Sequence, residues 1–376
     1  MRMRLAVLAL VLVAGLGTAA AYPQFQFTTG ASRCGECHVA PGGGGLLTDY
    51  GRDEAGDTIS GRGDGRLLHG AWTPPAWLAL GGDLRFAAGG KQLDGERVTG
   101  LAFPMQGDLR VRVAAGPFSL NLTAGVNGAA RGRPAGAAPT SYVVSREHFV
   151  AFHQPGAAWS VRAGRFFPTL GLRTVDHTAY IRRDLDMYLL QEPYAVEGQV
   201  VRGPWEVFVA AFVPNPIPDT GAGRRSTGAT AMAERLIADG QGAVAGQVRV
   251  AVSDADRRYL VGAVGKRWLE GPKLLLAAEL DVQRQAIVGD GFARWQLVGY
   301  ASATRVMLPG YLIGVGVHRY APDLTLRGAT RNALELEAHA FPWAHVEAQA
   351  TLRAEATGGD TAHPNWLALA QLHYYL

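Results

Sequence analysis

Leu274-Leu275-Leu276-Ala277-Ala278-Glu279-Leu280-Asp281-Val282-Gln283 reads as a strand with two unlike faces. Leu274, Leu276, Ala278, Leu280 and Val282 form one apolar row, and the other row holds Lys273, Glu279, Asp281 and Gln283. A period of two sends alternate side chains to opposite sides of a sheet. Outward from this stretch the pattern repeats. Leu80, Gly82, Leu84, Phe86 and Ala88 alternate with Gly81, Asp83, Arg85 and Ala87. Leu109, Val111 and Val113 alternate with Asp108, Arg110 and Arg112, and Phe118, Leu120, Leu122, Ala124 and Val126 continue the series. From Trp77 to Leu376 the dominant period is two rather than 3.6.

A soluble sandwich also alternates, so the punctuation decides. Tight turns are expected at Gly116-Pro117, Pro155-Gly156, Gly203-Pro204, Asp239-Gly240, Gly271-Pro272, Pro309-Gly310 and Pro342. Between them lie second, often longer and more polar connections. These centre on 91–99, 130–140, 168–192, 214–225, 254–257, 288–291, 322–328 and 357–364. The strand segments approach the roughly 9–11 residues that a tilted membrane strand needs. Short turns on one side and longer loops on the other are the pattern of a transmembrane antiparallel β-barrel. Seven turns and eight loops separate sixteen strands, with fourteen as the alternative count. An even number puts both barrel ends on the periplasmic side. Thr227–Ala238 enters the count as a weak strand only because Asp239-Gly240 follows it.

Trp77, Trp205, Trp268, Trp343 and Tyr374 stand near strand ends, as an interfacial girdle requires. The chain closes on Trp366, Ala368, Ala370, Leu372, Tyr374 and Leu376, an apolar row opposite Gln371 and His373. Such an ending resembles the assembly signal of bacterial outer-membrane proteins, with Leu376 in place of the usual Phe. The inward rows carry Arg85, Arg110, Arg112 and Arg249 with Asp83, Asp108, Glu335 and Glu337. A mixed-charge lumen of this kind suits a porin wall.

The N-terminus gives the address. Arg2 and Arg4 precede an apolar run from Leu5 to about Leu16, then Ala19 and Ala21 in an A-x-A pattern, so residues 1–21 read as a secretory signal peptide. Loss of Arg2 and Arg4 with that leader leaves 34 basic side chains against 32 acidic ones. A nucleic-acid partner is not suggested by that balance.

Between leader and barrel, residues 22–72 hold the two cysteines of the chain in Cys34-Gly35-Glu36-Cys37-His38. C-x-x-C-H is the attachment motif of a single covalent haem c, with thioethers from Cys34 and Cys37 and His38 as proximal iron ligand. A Cys34–Cys37 disulfide suits the same oxidising compartment. A zinc site lacks a second Cys or Cys/His pair, and a thioredoxin motif lacks its βαβ setting. The haem segment has no Met after His38, and His69 is its later histidine. His69 is therefore the candidate sixth ligand, with His339, His345 and His373 of the inward rows as alternatives and Met105 on an outward row.

Pro23, Phe25, Thr29-Gly30, the haem motif, Leu47 and Tyr50-Gly51-Arg52 form an ordered series. The series resembles the opening of the fused outer-membrane cytochrome–porin family, in which one c-type haem precedes a porin-like barrel. Two stretches depart from that pattern: the run Gly42–Gly45, and Asp53–Ser60, which lacks the family's aromatic finish. The resemblance implies a relay of electrons between an extracellular donor or acceptor and a periplasmic electron carrier, across outer-membrane lipid. Some members are implicated in oxidising extracellular ferrous iron. A second match, Gly164-Arg165-Phe166-Phe167-Pro168 with Gly171-Leu172-Arg173, resembles a strand-and-loop signature of polyanion-selective and related porins. The competing class is transport: a porin-type diffusion channel with a tethered cytochrome segment. The loop 168–192 reads either as a solvated outer loop or as an inward loop lining the entrance.

Other motifs carry little. Asn121-Leu122-Thr123 is a glycosylation sequon inside an expected membrane strand, and Arg62-Gly63-Asp64 is an adhesion tripeptide by letters alone. Gly42–Gly45 has no helix pattern after it, and no nucleophile–base pair suggests a hydrolase.

Overall fold

The computed structural model describes residues 25–376 apart from 94, 128–142, 154–155, 175, 177, 189–190, 216–224 and 290. The leader expected at 1–21 lies outside the described residues, as do His177 and the tip of the loop at 130–140.

Sixteen antiparallel strands close into one barrel. They are β1 Leu78–Gln92, β2 Thr99–Ala115, β3 Phe118–Asn127, β4 Val143–Phe152, β5 Trp159–Arg165, β6 Tyr194–Arg202, β7 Trp205–Val213 and β8 Thr227–Ile237. The second half is β9 Gly242–Val252, β10 Asp256–Leu269, β11 Leu274–Ile287, β12 Ala293–Leu308, β13 Tyr311–Ala321, β14 Arg331–Trp343, β15 Val346–Thr357 and β16 Asn365–Tyr375. Each strand pairs with its sequence neighbours, and β1 pairs with β16 through registers such as Leu84↔Tyr374 and Gly90↔Ala368. Closure leaves no edge strand, so the backbone groups of the wall bond within the wall.

The expected faces hold. On β11, Leu276 and Leu280 are exposed, and Glu279, Asp281 and Gln283 are buried in the lumen. On β9, Val244, Val248, Val250 and Val252 face out, and Ala243, Ala245, Gln247, Arg249 and Ala251 face in. An apolar exterior around a polar lumen inverts the soluble arrangement and is the signature of a wall bathed in lipid. Trp77, Trp205, Trp343 and Tyr374 are exposed at the short-turn end, as the girdle requires. Trp268 is not: the inward row of β10 is even-numbered, so its indole packs in the lumen with Phe27 and Leu275. The expected turn at Pro342 also moves. β14 runs through Pro342 to Trp343, and the chain reverses at Ala344-His345, where His345 takes a left-handed φ of 73°.

Two inserts fill the barrel. Residues 25–72 form a plug at the short-turn end, where both ends of the barrel chain also lie. The plug is tied to the turns around it: Arg33 Nη2 donates to Gly203 O at 2.7 Å, Gly61 N to Phe341 O at 2.8 Å, and Ala344 N to Arg62 O at 2.7 Å. The loop after β5 enters from the opposite end. Tyr180, Ile181 and Leu185 are fully buried and pack on Ala243, Leu260, Leu275, Ala277, Val298 and Ala333 of the wall. The solvated reading of 168–192 is therefore replaced by the inward one for the described part of the loop. Its apolar residues have somewhere to go only if it folds into the lumen.

Candidate functional site

The plug begins with α1 Phe25–Thr28 and α2 Cys34–Cys37, continues through α3 Asp49–Glu54, and ends in irregular turns to residue 72. α2 is one helical turn, which brings residues three apart to the same side. Glu36 caps its start, with Oε1 accepting from Arg33 N at 3.1 Å and from Ser32 Oγ at 3.1 Å. His38 N donates back to Cys34 O at 3.0 Å, closing the turn and fixing the imidazole beside the two thiols. The chain then reverses so that His38 bridges Leu47, and Thr48 N donates to Cys37 O at 3.0 Å.

α3 lies directly against that turn. Thr48 Oγ1 accepts from Gly51 N at 3.1 Å as its N-cap. A Cβ on Gly51 would stand 2.2 Å from the Cys37 carbonyl oxygen, so only glycine allows the approach. The Gly42–Gly45 run is likewise packed: a Cβ on Gly42 would meet Thr169 Oγ1 at 2.4 Å, where plug and inserted loop touch.

Where plug, loop and wall meet there is a cavity with about 1180 Å³ of free space between its lining atoms, solvent at its mouth included. Cys34, Cys37 and His38 line it together with Phe25 and Leu47 of the plug. Leu172 and Arg173 of the loop close it on one side. The wall contributes Phe208, Met232, Lys266, Phe341, His373 and Tyr375. Cys34 and Cys37 are not joined to each other. Burial pushes the Cys34 thiol up and lifts that of Cys37 to about 11, so both stay protonated near neutrality. Burial first, then the Arg110 and Arg173 guanidiniums, hold the His38 imidazole down at about 3 and therefore neutral.

Several buried polar atoms around this cavity have no hydrogen-bond partner among the described residues: His38 Nδ1, Arg33 Nε, Arg173 Nη1 and Tyr375 Oη. A buried orphan costs about 1–3 kcal/mol, and a cluster of them marks a place where a bound group or water completes the set.

The four histidines singled out as sixth ligands behave differently from one another. His69 lies outside the cavity, its ring 4.6 Å from that of His345, whose Nε2 in turn donates to Arg66 O at 2.9 Å. His339 Nδ1 bonds Glu347 at 2.9 Å. His373 does line the cavity, but Nδ1 bonds Glu347 at 2.8 Å and Nε2 bonds Asp83 at 2.6 Å. These pairs form a buried chain across β14, β15, β16 and β1 that spends the imidazoles on carboxylates. Met105 is not among the lining residues. Met232 is, and sequence reasoning passed over it. Its signal was an apolar thioether on the inward row of β8, between Thr230 and Glu234.

The inserted loop is held by charge as well as packing. Asp184 pairs with Arg331 at 2.7 Å and Asp186 with Arg258 at 2.5 Å. Asp176 pairs with Arg353, which also holds Glu335, and the Tyr180 hydroxyl donates to Glu355. The stretch Gly164–Phe167 leads into it: Arg162 lies over the Phe166 ring at 3.9 Å and bonds Glu197 at 2.7 Å, and Glu197 accepts from Thr169 N at 2.6 Å.

No protein-family model and no curated protein matches the chain. Solved structures do. OprB of Pseudomonas putida in its high-pH structure is similar at 13% identity, over 80% of this chain and 94% of that one, with a TM-score of 0.59. OmpT of Vibrio cholerae is similar at 10% identity, over 81% and 99%, with a TM-score of 0.58. The outer membrane channel DcaP of Acinetobacter baumannii is similar at 12% identity, over 80% and 97%, with a TM-score of 0.57. At such identities the likeness is one of architecture, and the chain carries a porin-like outer-membrane β-barrel fold.

Proposed function

We propose that this chain is an outer-membrane barrel that carries one covalent haem c inside its lumen and relays electrons between an extracellular partner and a periplasmic carrier. The observation that carries the proposal is the placement of Cys34, Cys37 and His38 together on one cavity, enclosed by plug, loop and wall. The residues present fit the group. Two thiols on one helical turn would anchor the porphyrin edge, and the neutral His38 imidazole would be the proximal ligand. Arg33 and Arg173, each with an unpartnered buried nitrogen, would receive the carboxylates. Phe25, Phe208 and Phe341 would flank the ring and keep water from it. When bound, the haem supplies a one-electron iron centre. A plug of about fifty residues is too small for a core of its own, and the barrel wall supplies the missing shielding. Gly35 and Glu36 are exposed, so the haem-bearing turn reaches solvent at the plug end, where a periplasmic carrier would dock.

Sealed vesicles test the relay. Purified holoprotein is reconstituted with a soluble c-type cytochrome trapped inside and a membrane-impermeant reductant outside. The trapped acceptor is expected to be reduced. Equal rates in vesicles with and without the protein would sink the proposal.

A second reading, a diffusion channel with a tethered haem segment, is supported by the likeness to the DcaP channel. Plug and loop both lie in the path through this barrel. Large, steady conductance of the intact protein in planar bilayers would favour the channel.

A further inference from the structure

We infer that Met232 is the second axial ligand of the iron, an assignment that rests on the haem reading above. The cavity that contains His38 has few lining side chains with a free electron pair to give. Lys266 Nζ is committed to Glu234 at 2.7 Å and donates to Gln26 at 2.9 Å. Glu206 accepts from Gln199 at 2.6 Å. His373 has both ring nitrogens on carboxylates. Lys266 and His373 could bind iron only by abandoning a buried partner, and a carboxylate such as Glu206 is not among the usual axial ligands of haem iron.

Two lining groups remain uncommitted, the Met232 thioether and the Tyr375 hydroxyl. Tyrosine ligates as the phenolate, so Tyr375 would have to lose a proton. Its ring centroid lies 5.4 Å from that of His373, which is held between the carboxylates of Asp83 and Glu347. A thioether needs no proton loss; sulfur gives its lone pair and nothing leaves. It is also a known axial partner of histidine on haem iron and raises the reduction potential.

Position favours Met232 too. The side chain is buried, on the inward row of β8. His38 belongs to the plug and Met232 to the wall, and both line the one cavity. There Met232 packs in the buried apolar cluster that holds Phe27, Leu172 and Trp268, so its thioether borders the cavity in apolar surroundings.

The test uses the full-length chain matured with haem, in four forms: the parent, Met232→Leu, Met232→His and His373→Gln. Haem content is read by pyridine haemochrome after denaturation, and ligation by optical spectra and electron paramagnetic resonance of the oxidised protein. The parent is expected to be low-spin with the weak near-infrared band of a sulfur–ferric bond. Met232→Leu should keep its full haem content and lose that band. Met232→His should stay low-spin without the band and shift to lower potential, which also guards against a leucine variant that misfolds. His373→Gln should retain the band. A parent with haem but without the band, or a Met232→Leu protein that keeps it, overturns the assignment and leaves the haem reading standing. A parent without haem overturns both.

Discussion

Replacing Cys34 and Cys37 together with serine is expected to abolish haem staining of the denatured chain while leaving the barrel closed. The expected change in cofactor content is from one haem per chain to none, because covalent attachment needs the two thiols and the chain has no others. The barrel does not depend on them. Its strand ladder runs through sixteen antiparallel pairs without a plug residue. The plug keeps its ties through Arg33 to Gly203 and through Gly61 to Phe341. Folding is checked by the heat-dependent mobility of the barrel on gels, and haem by peroxidase staining of the same lanes. Undiminished staining in the double variant would mean that the group is held some other way. His38→Ala is expected to separate the roles: thioether attachment continues, and the spectrum loses its parent form.

The second large effect follows from freeing the inserted loop. Leu185 is fully buried against the wall, so Leu185→Ala costs about 2–5 kcal/mol of loop docking. Arg353→Ala is worse for the loop. Arg353 is 6% exposed and joins Asp176 to Glu335, and its removal leaves two carboxylates facing each other in a site they share. Breaking a buried pair from one side costs about 3–5 kcal/mol. The wall survives, since its hydrogen bonds are its own, but the loop no longer blocks the half of the lumen opposite the plug. Conductance in planar bilayers should therefore rise from closed or flickering in the parent to longer open events in the double variant. A variant as closed as the parent would show that the plug alone blocks the path.

The wall was legible because its information is local. Alternation along Leu274–Gln283 is a property of ten adjacent letters, and turn residues such as Gly203-Pro204 mark its limits. Even the weak strand β8 was recovered from the Asp239-Gly240 turn after it. Where two signals competed, the sequence misled. Trp268 stands near a turn, which suggests a girdle, yet its even position on β10 sends it inward. Parity was available in the letters and outranks proximity. The loop at 168–192 looked solvated because Arg182, Arg183, Asp184 and Asp186 dominate its text. The loop's acidic residues have remote partners: Arg331 lies 147 positions from Asp184 and Arg353 lies 177 from Asp176. The apolar Leu172, Tyr180, Ile181 and Leu185 were the visible hint of burial.

The site was legible in its first half. Cys34, Cys37 and His38 announce themselves by spacing, and the structure brings them onto one cavity. The other side of that cavity was not legible from spacing. His373 looked available on an inward row, and only the pairing of β1 with β16 brings Asp83, 290 positions away, onto its ring. Met232 was concealed for the same reason, on a strand whose place opposite the plug depends on closure of the ring.

If the proposal holds, a single haem is bonded to this chain inside the barrel. The direct measurement is a pyridine haemochrome assay on the purified full-length protein, after extraction with acidified acetone and denaturation. One c-type haem per chain is expected to survive the extraction. A chain that yields no haem, with Cys34 and Cys37 recovered as a disulfide in one peptide, would contradict it and leave a porin-like barrel with a cross-linked plug.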